Sequence, residues 1–135
     1  MRFAFRDLSP GGEVQPLPIV DVVVEGLAGA PQACLIDSGA TAVRFGAHVA
    51  DLCGVDLADA PITRIAVGGA LVTARMAEVH LEVSDGRQSH EWVAPVWFCE
   101  PWRPAFGLLG LTGFFDRFEV TVAAYEERFE LSPVT

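Results

Sequence analysis

Asp37-Ser38-Gly39-Ala40 is the stretch of this 135-residue chain whose residue types could do chemistry. It follows directly on the apolar run Ala33-Cys34-Leu35-Ile36. A strand interior has no ordinary use for a carboxylate there. Burying one unpaired is costly, and the group usually takes up a proton rather than stay charged. The chain therefore either opens to solvent at Asp37 or keeps the acid for chemistry. Asp, Ser and Gly all favour turns, so a plain β-turn is the bland account of the same residues.

The other reactive residues form weaker patterns. His48, His80 and His90, taken with Cys53 or Cys99, match no metal-ligand spacing, so neither a metal nor a cofactor is expected. Gly107-x-x-Gly110-x-x-Gly113 departs from the dinucleotide fingerprint and lacks the acid of a βαβ unit. Cys34, Cys53 and Cys99 cannot all pair and form no CxxC unit. They read as reduced, mostly buried thiols of a cytoplasmic chain.

The elements that must position Asp37 are strands. Arg2 to Arg6 alternates polar and apolar, and Ser9-Pro10-Gly11-Gly12 signals a turn. Pro18 to Glu25 and Ala33 to Ile36 read as strands, with a short extended piece at Val43 to Phe45. Ala47 to Cys53, closed by Gly54, predicts a short helix. Pro61 to Val67 and Leu71 to Val83 flank Gly68-Gly69, a two-residue hairpin signal. Asp85-Gly86 turns the chain into Glu91 to Phe98. Gly107 to Gly110 predicts a strand, Leu111 to Arg117 a helical segment, and Glu119 to Leu131 a hairpin around Tyr125-Glu126-Glu127. Short strands with turns about every ten residues, and one or two short helices, predict an all-β barrel or sandwich in one domain spanning 1–135.

Composition narrows the partners. A hydrophobic content of 51% argues against disorder, and a net charge of -9 argues against nucleic acid and anionic lipid. No run approaches the ~18 apolar residues of a membrane span, and Met1 to Asp7 lacks a leader's apolar core.

Three features in order resemble the retropepsin-like aspartic proteases. Leu35-Ile36-Asp37-Ser38-Gly39-Ala40 is similar to that family's active-site motif. Ile65 to Val72, with Gly68-Gly69, sits where the family has its glycine-rich flap. Leu108-Leu109-Gly110 followed by a helix containing Gly113-Phe114-Phe115-Asp116 looks like the family's apolar-apolar-Gly signature, in the manner of small single-domain bacterial members.

The resemblance implies a closed or partly open β-barrel of the acid-protease type, with Asp37 catalytic. It implies that Ser38, Gly39 and Ala40 support the active-site loop, and that Val67, Gly68, Gly69 and Ala70 form the flap. The Ser38 hydroxyl would bond across the dimer axis. The aromatic stretch Trp92 to Phe106 is more ordinarily core or interface; on the resemblance, Val96-Trp97-Phe98, Trp102 and Phe106 would line side-chain pockets. Only one Asp motif is present, so the family's pair of carboxylates requires a homodimer, with Asp37 from each copy on a two-fold axis. The substrate would be an extended peptide or protein. Twice -9 on such a dimer points to basic or neutral substrates.

The chain departs from the family in having Ser38 for the commoner threonine, no aromatic beside Gly68-Gly69, and no Arg pair after Gly110. These departures motivate an alternative, a catalytically silent dimerisation or peptide-binding module on the same fold. A processing enzyme confined to one partner protein, or to itself, is a third account.

Overall fold

The computed structural model of the chain describes residues 1–8 and 15–134, so the turn expected at Ser9 to Gly12 lies outside the described residues. In chain order the strands are β1 (Arg2–Ala4), β2 (Ile19–Val24), β3 (Gln32–Ile36), β4 (Val43–Gly46), β5 (Ile62–Val67), β6 (Ala70–Ser84), β7 (Ser89–Glu100), β8 (Gly107–Leu109), β9 (Phe118–Ala123) and β10 (Arg128–Pro133). Among the described residues one α-helix, α1 (Ala47–Cys53), follows β4, and a single 3₁₀ turn spans Ala124–Glu126.

The fold is an all-β barrel of six strands. Around it the order is β2, β3, β8, β4, β7 and β6. It closes where Val23 and Val24 of β2 pair with Glu82 and Leu81 of β6. Closure removes the free edges that an open sheet would present. β5 hangs outside the ring as a hairpin on β6, from Ile62 opposite Arg75 to Val67 opposite Ala70. β1, β10 and β9 form a separate three-stranded sheet. Its Phe129 stacks on Phe3 at 5.2 Å and joins the barrel core.

Alternation along the strands fills that core. Val20, Val22 and Val24 of β2, Val43 and Phe45 of β4, and Val79, Leu81 and Val83 of β6 all point into it. Successive side chains of a strand face opposite ways, so one register fixes each whole set. α1 has the bounds its sequence predicts: Gly54 takes φ 75 and donates its N–H to Ala50 O, a left-handed cap that suits glycine.

One element differs from expectation. Leu111 to Arg117 is a series of turns, not a helix. Gly113 adopts φ +96, which breaks any helical path, and its N–H bonds the Asp116 carboxylate at 3.0 Å. Phe115 and Asp116 donate to Gly110 O and Leu111 O, one residue further back than an α-helix would require. Burial imposes this path. Phe114 is fully buried against Trp92 and Phe118, and the Trp92 indole N–H donates to Gly113 O at 2.7 Å. No helix among the described residues is long and apolar enough to cross a membrane.

Candidate active site

Asp37 stands where β3 ends. β3 runs parallel to β8, with Cys34, Leu35 and Ile36 opposite Gly107, Leu108 and Leu109. The Asp37 N–H continues that ladder by donating to Leu109 O at 3.0 Å. β8 also pairs antiparallel with β4 through Arg44 and Leu108, so it lies between the strands that enter and leave the Asp37 loop. The loop is tied to the residues after β8: Leu111 N–H donates to Ala40 O at 3.0 Å, Thr112 N–H to Thr41 O at 3.0 Å, and Val43 N–H to Thr112 O at 3.1 Å.

Gly110 makes this crossing possible. A Cβ there would stand 2.4 Å from Ala42 O, 2.5 Å from Ala40 O and 2.7 Å from Ala42 N. All three obstacles are backbone, so no side-chain rotation relieves them. The Leu108-Leu109-Gly110 triplet is therefore two residues of ladder and one of clearance. Gly107 has a similar role, since its Cβ would meet the Phe45 ring at 2.7 Å.

The acid is presented, not hidden. Asp37 is half-buried, Ser38 and Gly39 are exposed, and Ala40 is buried. Gly39 donates its N–H to Asp37 Oδ1 at 2.9 Å, and a Cβ on Gly39 would crowd that oxygen at 3.1 Å. Ala40 N–H closes the turn on Asp37 O at 3.1 Å. The Asp37 carboxylate accepts no other hydrogen bond among the described residues. The Ser38 hydroxyl makes none there either. One chain thus supplies one carboxylate in a braced loop and leaves its outer face unpartnered.

The glycine pair expected at a hairpin tip is there. Gly68 and Gly69 have φ 57 and 80, left-handed at both central positions, as the twist of a two-residue hairpin requires. Val67 and Ala70 flank them, both half-buried. Val67, Gly68, Ala70 and Val72 line a cavity of about 310 Å³ together with Trp102 and Arg103. Asp37 is not part of that lining.

The aromatic residues expected to line pockets divide between two faces. Val96 and Phe98 belong to the barrel core and are 0% and 1% exposed, so for them the core account holds and the pocket account does not. Trp97 and Trp102 pack instead beneath the hairpin, against a small second cluster of Val72, Ala74 and Cys99. Phe106 lines a smaller hollow with Trp102 and His48.

Arg44 belongs to none of the sequence motifs. Val43 and Phe45 face the core, so the pleat turns Arg44 to the other side of β4, under the hairpin. It is the one buried polar side chain among the described residues, at 8% exposure. Its Nη2 donates to Thr41 Oγ1 at 2.7 Å, and Nη1 lies 3.5 Å from Ala66 O on β5. Its Nε is buried without a partner. The available signal is a lone cation among the apolar residues Ala42, Val43 and Phe45.

The three cysteines are unpaired. Burial pushes the Cys34 and Cys53 thiols up, Cys34 far up, and raises Cys99 to about 11. Such thiols are poor nucleophiles near neutral pH. Among the described residues, no three His, Cys, Asp or Glu side chains are placed to hold a metal ion. Neither family models nor curated proteins give a match to the chain.

Proposed function

We propose that the chain is one half of an aspartic endopeptidase of retropepsin type, acting as a homodimer in the cytoplasm on extended peptide or protein substrates. The observation that carries this reading is the Asp37 loop: a half-buried carboxylate braced from behind by β8 and Gly110, in a chain that also carries a glycine-tipped hairpin.

Two copies would bring two Asp37 carboxylates to one axis. Like charges about 3 Å apart cannot both ionise, so the pair shares a proton. The charged carboxylate takes a proton from water while the neutral one donates to the peptide carbonyl, the division of roles established for aspartic proteases. The pair titrates as a unit, so neither Asp37 has a pKa of its own. The unpartnered Ser38 hydroxyls are free to bond across the axis. Gly68 and Gly69 would let the hairpin tip act as a flap that closes over substrate and excludes water. The unpaired cysteines accord with a reducing compartment.

Asp37→Asn tests the reading. It should lower kcat on a peptide library by about 10²–10⁴-fold while circular dichroism and Tm stay near wild type. Cleavage undiminished in the variant would sink the assignment.

The hairpin tip favours a second reading, a silent peptide-binding or dimerisation module. Val67 and Ala70 beside the glycines offer little surface to grip a substrate. Sedimentation showing a dimer that binds peptides but cuts none between about pH 3 and pH 7 would select this alternative.

A further inference from the structure

We propose that Arg44 is the specificity-determining residue of the cleft, selecting peptides with an Asp or Glu side chain beside the cleaved bond. This deepens the endopeptidase reading and rests on it.

Arg44 bridges the two walls between which a substrate would lie. Its Nη2 end holds Thr41, four residues after Asp37, and its Nη1 end reaches toward Ala66, next to the hairpin residue Val67. Thr41 and Ala66 are both exposed, whereas Arg44 itself is 8% exposed and its Nε is sealed, so the guanidinium lies just beneath the surface between them.

The guanidinium is under-used. It has five N–H groups, and no carboxylate among the described residues pairs with it. Its neutral acceptors are one hydroxyl and one distant carbonyl. A buried charge is normally matched by an opposite one, and Arg geometry suits a planar carboxylate held by two bonds. A titratable neighbour is Cys99 on β7, whose thiol is neutral at physiological pH and supplies no counter-charge. Arg103 adds a second cation at the adjoining cavity, whose lining holds no acid. Local charge here opposes the basic or neutral preference expected from the net charge of -9. The net charge acts on encounter over a distance, whereas the subsite acts on the docked peptide.

The test uses the wild-type protein and fluorogenic peptides in Glu/Gln pairs, with the pair moved one position at a time across the cleavage site. At one position Glu should be preferred over Gln by about tenfold or more in kcat/KM. In Arg44→Gln that ratio should fall toward one, whatever the overall rate, and Arg44→Lys should restore part of it. The wild-type preference should also fade as pH drops through about 4, where the substrate carboxyl takes up its proton. A purely structural arginine would give neither result. If Arg44→Gln does not fold, the wild-type ratio and its pH dependence decide alone. Equal kcat/KM at every position overturns the proposal. If wild type cuts no peptide, the endopeptidase reading fails and the ratio is read from binding by fluorescence anisotropy. Equal or undetectable binding of both members of each pair then overturns the role of Arg44.

Discussion

Two parts of the molecule depend on glycine for opposite reasons. Under the Asp37 loop, Gly110 needs no unusual φ; what it needs is space, because backbone atoms of Ala40 and Ala42 occupy the place of a Cβ. At the β5–β6 tip, Gly68 and Gly69 have nothing within 4 Å of a Cβ; what they need is the left-handed conformation. The first site is held from both sides by β3, β8 and β4. The second is held only through the ladder to β6 at its base. A braced floor keeps a carboxylate fixed in direction, and a tip constrained only by its own backbone can change shape at small cost.

Substitutions can break this contrast. Gly110→Ala should be the most damaging, costing about 3 kcal/mol or more and lowering Tm by about 10 °C, because overpacking against backbone has no side-chain relief. Urea or thermal unfolding reads it, and a Tm near wild type would show that the strand crossing yields more than its geometry indicates. Gly69→Ala should cost only about 1 kcal/mol, the strain of a left-handed alanine. A loss as large as that of Gly110→Ala would mean that the tip packs against something in solution.

The thiols sharpen the contrast more gently. Cys53 is half-buried, whereas Cys34 and Cys99 are sealed in the barrel wall. A thiol reagent at pH 8 should label Cys53 first, and the other two only on unfolding. Burial favours the neutral Cys99 thiol, so the native state keeps a proton that the unfolded chain releases above about pH 9. Stability should therefore decline as pH rises from about 9 toward about 11, as equilibrium denaturation can measure.

Local signals were legible in the sequence. α1 was readable because a short apolar helix ended in glycine, and the β5–β6 hairpin because Gly-Gly interrupted two β runs. Asp37 stood out as a charge ending an apolar strand. What failed was decided at a distance. Leu111 to Arg117 reads as a helical segment, yet five of its seven residues are weak helix formers, and burying Phe114 beside Trp92 and turning at Gly113 decide the path. For Val96 and Phe98 the local pattern allows both core and pocket, and only the register of β7 turns them inward. Nor does the local pattern show β8 entering between β3 and β4, and so it could not show why Gly110 is glycine or what lies under the hairpin at Arg44.

The interleaving of β8 also orders events in time. Asp37 leaves the ribosome about seventy residues before Gly107 to Gly110, the segment that braces its loop. A nascent or truncated chain lacking that segment has the acid but not its scaffold. Closing so distant a pairing makes this part of the barrel slow to assemble. The carboxylate thus acquires its setting only after most of the polypeptide has been made, a delay built into the topology of the chain.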